Sequence, residues 1–300
     1  MKINNKQILC IGEILWDRLP SGAKPGGAPM NVALHMNAIG QCAAISSRIG
    51  NDGAGKELTT FIERSGLRTE YIQVDEKLPT SEVLVHLDAN NNATYKICEP
   101  VAWDNLQLTD SLQSKAKECG LLVYGSLASR NEQTRNTLVK LLEGDAIKLI
   151  DVNLRKPYDR REIVEPLLHK SDIIKLNDDE LRVFAGWHNK HNMTEKKMVQ
   201  WLSEHYDADL VCVTKGKNGA ALYCEGNFYE HPGFKINAVD TVGAGDAFLA
   251  GLVSAMFENK SYEDALALAC ATGAFVASKA GATPKYDMQE IKQILMSNLE

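Results

Sequence analysis

Six runs in this chain, residues 8–15, 43–49, 121–125, 148–153, 172–177 and 210–214, are apolar along most of their length and read as strands. A strand wetted on one face alternates apolar with polar residues, whereas these mostly do not, so both faces of their sheet must be covered. The segments between them have helical character and are long enough to serve as crossovers. Together these features predict an α/β fold with a mainly parallel central sheet flanked by helices.

One stretch departs from the alternation. Between residues 70 and 99 the runs YIQV, EVLVHLD and ATYKIC follow one another with only LPTS and the Asn90-Asn91-Asn92 cluster between them. They predict a small antiparallel β-sheet standing off the main one, suited to act as a lid over a site or as a surface for subunit pairing. The carboxyl-terminal third reads as helical over 247–257 and 261–280, with Ser261 and Asp264 as a capping box and Gly281 as a left-handed stop. No repeat or long linker divides the chain, so residues 1–300 are read as a single catalytic domain with an appended sheet.

Composition narrows the partners. Apolar residues make up 44% and charged residues 24%, ordinary for a globular protein, and the formal charge of -6 disfavours nucleic acid and anionic membranes. Gly12 and Glu13 interrupt the first apolar run and no small-residue cleavage site follows, so a strand is expected there, not a signal peptide. No stretch nears the roughly 18 uninterrupted apolar residues of a spanning helix. Seven cysteines, without a CxxC pair, read as reduced thiols in a reducing compartment, and a cytoplasmic location is expected.

The strongest chemical signal is Asp240-Thr241-Val242-Gly243-Ala244-Gly245-Asp246, running directly into the helical AFLAGLVSAMF. Three small residues at a helix amino terminus let successive amides approach an anion, and the helix dipole favours negative charge there. Asp246 falls in the first turn, where a carboxylate can take a proton from a hydroxyl while the amides steady phosphoryl oxygens. A tight turn with a capping acid would use the same residues, and the local pattern alone does not separate the two readings.

A second small-residue loop, Gly26-Gly27-Ala28-Pro29-Met30-Asn31, feeds another helix, with Asn31 offering a donor and an acceptor to hydroxyls. Upstream, Asp17 can accept two hydrogen bonds from neighbouring hydroxyls, as a polyol provides. Asn177 and Glu180 share one face of a starting helix and could hold magnesium through its water shell, or simply belong to an acidic, solvated helix start. In Thr214-Lys215-Gly216-Lys217-Asn218-Gly219 a strand ends in a glycine turn that is either a nucleotide contact or an ordinary hairpin.

Other motifs fail on chemistry. Gly50 to Lys56 has P-loop spacing, but Glu57 stands where magnesium needs a hydroxyl, so a P-loop is rejected. No GxGxxG or GxSxG pattern supports hydride transfer or a serine hydrolase. His188 and His191 lie in the polar loop GWHNKHN without a nearby cysteine or carboxylate pair, and a zinc site is not expected there.

Taken together, the run from Gly26-Gly27 through Asn31 and Ala33 to Gly40 and Gly50, and the later DTVGAGDAFLAGLV, resemble the paired signatures of the ribokinase-like (PfkB) carbohydrate kinase family. The resemblance implies a ribokinase-like fold whose lid comes from about residues 13–23 and 70–99, and a homodimer formed through that lid. It makes Asp246 the base and the amides of Gly243, Ala244 and Gly245 the anion hole. Asp17, Gly27 and Asn31 become sugar contacts. Asn177, Thr214, Gly216, Gly219 and Thr241 fall on the ATP side, with Glu180 near Mg2+ and Asp240 beside a monovalent cation such as K+. The segments GEILWDRLP, GGAPMNVA and DVNLRKPYD are most similar to fructokinases. A 2-keto-3-deoxygluconate kinase is the alternative, because Arg155 could grip a substrate carboxylate; a nucleoside kinase or a sugar-binding protein without turnover are further readings.

Overall fold

The computed structural model describes residues 7–19, 22–87 and 93–297. Its strands are β1 Gln7–Ile11, β2 Leu15–Leu19, β3 Gly22–Gly26, β4 Cys42–Gly50, β5 Ile72–Asp75, β6 Ser81–Leu87, β7 Ala93–Ile97, β8 Leu121–Gly125, β9 Ile147–Asp151, β10 Ile173–Asn177, β11 Leu210–Thr214, β12 Ala220–Cys224 and β13 Asn227–His231. Its α-helices are α1 Ala28–Ala38, α2 Gly53–Arg64, α3 Asp110–Glu118, α4 Glu132–Leu141, α5 Arg161–Leu168, α6 Asp178–Trp187, α7 Glu195–Tyr206, α8 Ala244–Phe257, α9 Tyr262–Ala277 and α10 Met288–Met296.

Nine strands form the main sheet in the order β13-β12-β11-β10-β9-β8-β1-β4-β5. The pairings from β5 across to β11 are parallel, and only the β11-β12-β13 meander at one edge is antiparallel. The largely apolar runs now have their explanation. Along β1, Ile8 and Cys10 pack into the layer holding α1, α8 and α9, while Leu9 and Ile11 pack into the layer of α3 to α7. Chain order reverses beside β1, and in open α/β sheets ligands gather past the carboxyl ends of strands at such a reversal. Among the described residues no helix is long and apolar enough to cross a membrane. Five of the seven cysteines are buried, as small apolar residues would be.

Four strands form the smaller sheet, in the order β3-β2-β6-β7. Its outer pairings are antiparallel and its central one, β2 with β6, is parallel. Three expected boundaries change. The run 8–15 is not one strand: Gly12 breaks it with a φ of 153°, and a Cβ there would sit 2.6 Å from Pro29 Cγ. The chain leaves the main sheet at that point and enters the small one at Leu15. The YIQV run also belongs elsewhere, because α2 lies between β4 and β5 and returns β5 parallel to β4 on the main sheet, where Asp75 pairs with Arg48 at 2.8 Å. The Asn90-Asn91-Asn92 turn lies outside the described residues. The second carboxyl-terminal helix starts as expected, with Ser261 accepting from the amide of Asp264, but closes at Ala277, three residues short of the expected end.

Candidate active site

Helix α8 is built to present its amino terminus. Gly243 precedes it with a φ of 78°, and a Cβ there would lie 2.3 Å from the Ala282 carbonyl oxygen, so only glycine fits. No side chain caps this end, which leaves first-turn amides for an anion. The Ala244 amide turns back to the Thr241 carbonyl at 3.2 Å, so Gly245 and its successor are better placed to donate outward. Asp240 accepts from the amides of Val242 at 3.0 Å and Gly281 at 3.1 Å, pinning this loop to the one after α9. Thr241 is exposed.

Asp246 is partly buried, and its Oδ2 accepts from Asn31 Nδ2 at 2.9 Å, so the two small-residue loops meet although 215 positions apart. Asn31 is buried on α1, whose entry at Gly27 is equally tight: a Cβ there would stand 2.4 Å from the Glu13 carbonyl oxygen. Glu13 itself is buried, and its Oε2 has no hydrogen-bond partner. Burial pushes its carboxyl up to about 7.

Below Asp246 lies a buried ion pair at the ends of adjacent parallel strands. Lys175 Nζ on β10 lies 2.9 Å from both carboxylate oxygens of Asp151 on β9. It also stands 3.4 Å from where a Cβ on Gly245 would be. Burial works against the Lys175 ammonium, yet Asp151, with Asp246 and Glu180 beyond it, holds its pKa above the usual range. Burial and then the Asp151 charge push the Asp246 carboxyl up to about 6, opposed by the Asn31 bond, Lys175 and Arg155. A carboxyl group so placed could exchange a proton near neutrality.

Asn177 and Glu180 form a reciprocal capping box at the start of α6, with both bonds at 2.8 Å. Glu180 is buried, not solvated, and its other oxygen accepts from the Leu154 amide at 2.7 Å, fixing the segment that carries Arg155. Burial and Asp151 raise its pKa. Arg155 is exposed at the rim, where its charge offsets the burial that raises the Asp17 carboxyl and also acts on Glu13 and Asp246. Gly26 makes room for Asp17, since a Cβ there would be 2.5 Å from Asp17 Oδ2.

The matching family model is that of the pfkB family carbohydrate kinases, and it spans residues 22–288. The chain belongs to that family. A fructokinase of Klebsiella pneumoniae is 30% identical, covering 88% of this chain and 89% of its own length. Fructokinase-2 of Solanum lycopersicum is 28% identical over 92% of each chain. In fold, the ATP-bound fructokinase of Xylella fastidiosa superimposes with a TM-score of 0.83 at 22% identity, covering 99% of this chain and 100% of its own. The fold is ribokinase-like.

In this carbohydrate kinase the glycine turn after β11 is a hairpin: Lys215 donates to the Gly219 carbonyl at 2.7 Å, and β12 returns antiparallel. Thr214 pairs in register with Asn177, so two of the residues expected on the nucleotide side are neighbours on adjacent strands. Gly216 is exposed and Gly219 buried, with a Cβ at Gly219 falling 1.9 Å from the His231 carbonyl. Lys215 is tied to Glu195 and Glu230 at 3.1 Å each. The P-loop-like segment is closed by its own acid: Asp52 caps α2 through the Gly55 amide at 2.7 Å and binds both the amide and hydroxyl of Thr80. Three residues of this charged cluster went unread in the sequence, namely Glu13, Asp151 and Lys175. A lysine inside IIKLN, a strand buried on both faces, was the available signal.

Proposed function

We propose that this carbohydrate kinase transfers the γ-phosphoryl group of ATP to D-fructose, giving fructose 6-phosphate. The observation that carries the reading is the junction of Asp246, Asn31 and the uncapped start of α8, where a base and main-chain donors face one point. Asp246 takes the proton of the acceptor hydroxyl as its oxygen attacks phosphorus. Amides at the start of α8 balance charge on the transferring group, while Gly27, Asn31 and Asp17 orient the sugar.

The acceptor side favours a neutral polyol. Glu13, Asp17 and Asp246 gather there against one exposed arginine, Arg155, which already acts on all three. A sugar acid would bring a further negative charge into that set, so 2-keto-3-deoxygluconate is the weaker reading. On the nucleotide side we place Asn177, Thr214, Gly216, Gly219 and Thr241. The oxygen-rich, net negative group of Asp151, Glu180 and Asp246 suits a hard divalent ion such as Mg2+, which would supply charge neutralisation on the phosphates, with Glu180 acting through water. Asp240 is bound by two amides, so a K+ ion beside it would draw chiefly on carbonyls of the two loops that it joins.

We further assign the β3-β2-β6-β7 sheet as a lid that excludes water during transfer and as the surface of a homodimer in the cytoplasm. The test is a coupled assay of ADP release with fructose, ribose, 2-keto-3-deoxygluconate and nucleosides. The proposal expects the highest kcat/KM with fructose. A higher value for the sugar acid or a nucleoside would overturn the choice of acceptor, and no turnover with any of them would leave a sugar-binding protein.

A further inference from the structure

On the layer of α5 to α7, facing away from the α8 layer, long-range packing assembles a group of side chains that the kinase reaction does not use. Glu165 of α5, His188 just past α6 and His205 of α7 each offer a ligand atom, and these atoms lie within 4.8 Å of one another. His188 Nε2 stands 2.7 Å from Glu165 Oε1, with the His188 side chain 9% exposed. Arg161 holds the other oxygen, Oε2, at 2.8 Å, which turns Oε1 toward the imidazoles. His205 stacks on Trp201 at 4.4 Å and meets the His188 ring edge-on at 4.9 Å. The Tyr206 hydroxyl lies 3.1 Å from both Glu165 Oε1 and His188 Nε2.

We propose that Glu165, His188 and His205 form a binding site for zinc, separate from the magnesium chemistry of the phosphates. Two imidazoles and one carboxylate are a borderline ligand set, suited to zinc and poorly suited to magnesium, which prefers oxygen donors. Around a tetrahedral ion with bonds near 2.0–2.1 Å, ligand atoms sit about 3.4 Å apart. The short His188–Glu165 side of the group must open slightly, and the sides to His205 must close by about 1.4 Å at most. The exposed His205 ring supplies that closure by rotating about its side-chain torsions. To bind the metal through Nε2, the neutral His188 ring carries its one proton on Nδ1, which leaves the Nε2 lone pair for the ion. Water fills the fourth position, or the exposed His169, whose ring centre is 5.6 Å from that of His205. Local sequence around GWHNKHN could not announce this site, because Glu165 lies 23 residues before His188 and His205 lies 17 after it. His191 takes no part.

The test is zinc titration of the full-length, chelator-stripped protein by calorimetry, with cobalt absorption as an independent readout of ligand geometry. The expected result is one equivalent of zinc bound, a tetrahedral cobalt spectrum, and affinity reduced at least tenfold in His205→Ala and in His188→Ala. Turnover of the two variants at saturating magnesium and ATP should match that of the parent. His205 is exposed, so His205→Ala decides the matter even if His188→Ala folds poorly. Absence of zinc binding up to about 100 μM, or equal affinity in the parent and His205→Ala, would overturn the proposal.

Discussion

At the residue scale, the buried Glu13 and the partly buried Asp246 carry raised carboxyl pKa values from which the proposed reaction's pH response follows. Asp246 must be ionised to take a proton, and its carboxyl is pushed up to about 6. The acid limb of kcat/KM is therefore expected to fall away below about pH 6, as a pH-rate profile under saturating ATP will test. Glu13, pushed up to about 7, carries the opposite implication for stability. A carboxyl whose pKa is higher folded than unfolded binds more protons when folded, so stability drops as pH rises from about 4.5 to 7. Glu13→Gln removes that ionisation, and its stability relative to the parent should rise by roughly 3 kcal/mol between pH 5 and pH 8 in chemical denaturation. An unchanged difference across that range would mean that Glu13 has the same pKa folded as unfolded. Asp246 was legible in the sequence because it opens a helix after GAG. Glu13 was not, because its burial depends on the packing of Gly12 against Pro29 and Gly27 against Glu13.

At the scale of elements, the parallel pairing of β9 with β10 sets Asp151 and Lys175 directly opposite one another in register. Lys175→Met leaves the Asp151 carboxylate buried without its partner and should cost about 3–5 kcal/mol of stability. Asp151→Leu combined with Lys175→Met should recover most of that loss in urea denaturation while turnover remains depressed, because Asp246 loses both charges beneath it. Recovery of turnover along with stability would reduce the pair to a packing role. The parallel strands were legible because apolar runs buried on both faces are distinctive. The β12-β13 hairpin, and the split of residues 8–15 between two sheets, were not, since a short apolar run does not reveal which sheet receives it. Placing β5 required noticing that α2 separates it from β4, a relation between elements that the YIQV run does not contain.

At the scale of the whole molecule, the small sheet extends from the main body through β2 and β6, and the edges of β3 and β7 face outward in its strand order. A lid that closes over fructose and a nucleotide should reduce the radius of gyration in small-angle scattering when both are added. The same experiment should give a particle of twice the chain mass. A monomer would remove the small sheet from subunit pairing. The account as a whole depends on one carboxylate, held by Asn31 and raised by its surroundings, acting as the base at the start of α8. The most direct measurement pairs turnover with fructose binding for Asp246→Asn. A fall in kcat of about a hundred- to ten-thousand-fold, with fructose affinity within a few-fold of the parent, is the predicted result. Turnover close to that of the parent would contradict it.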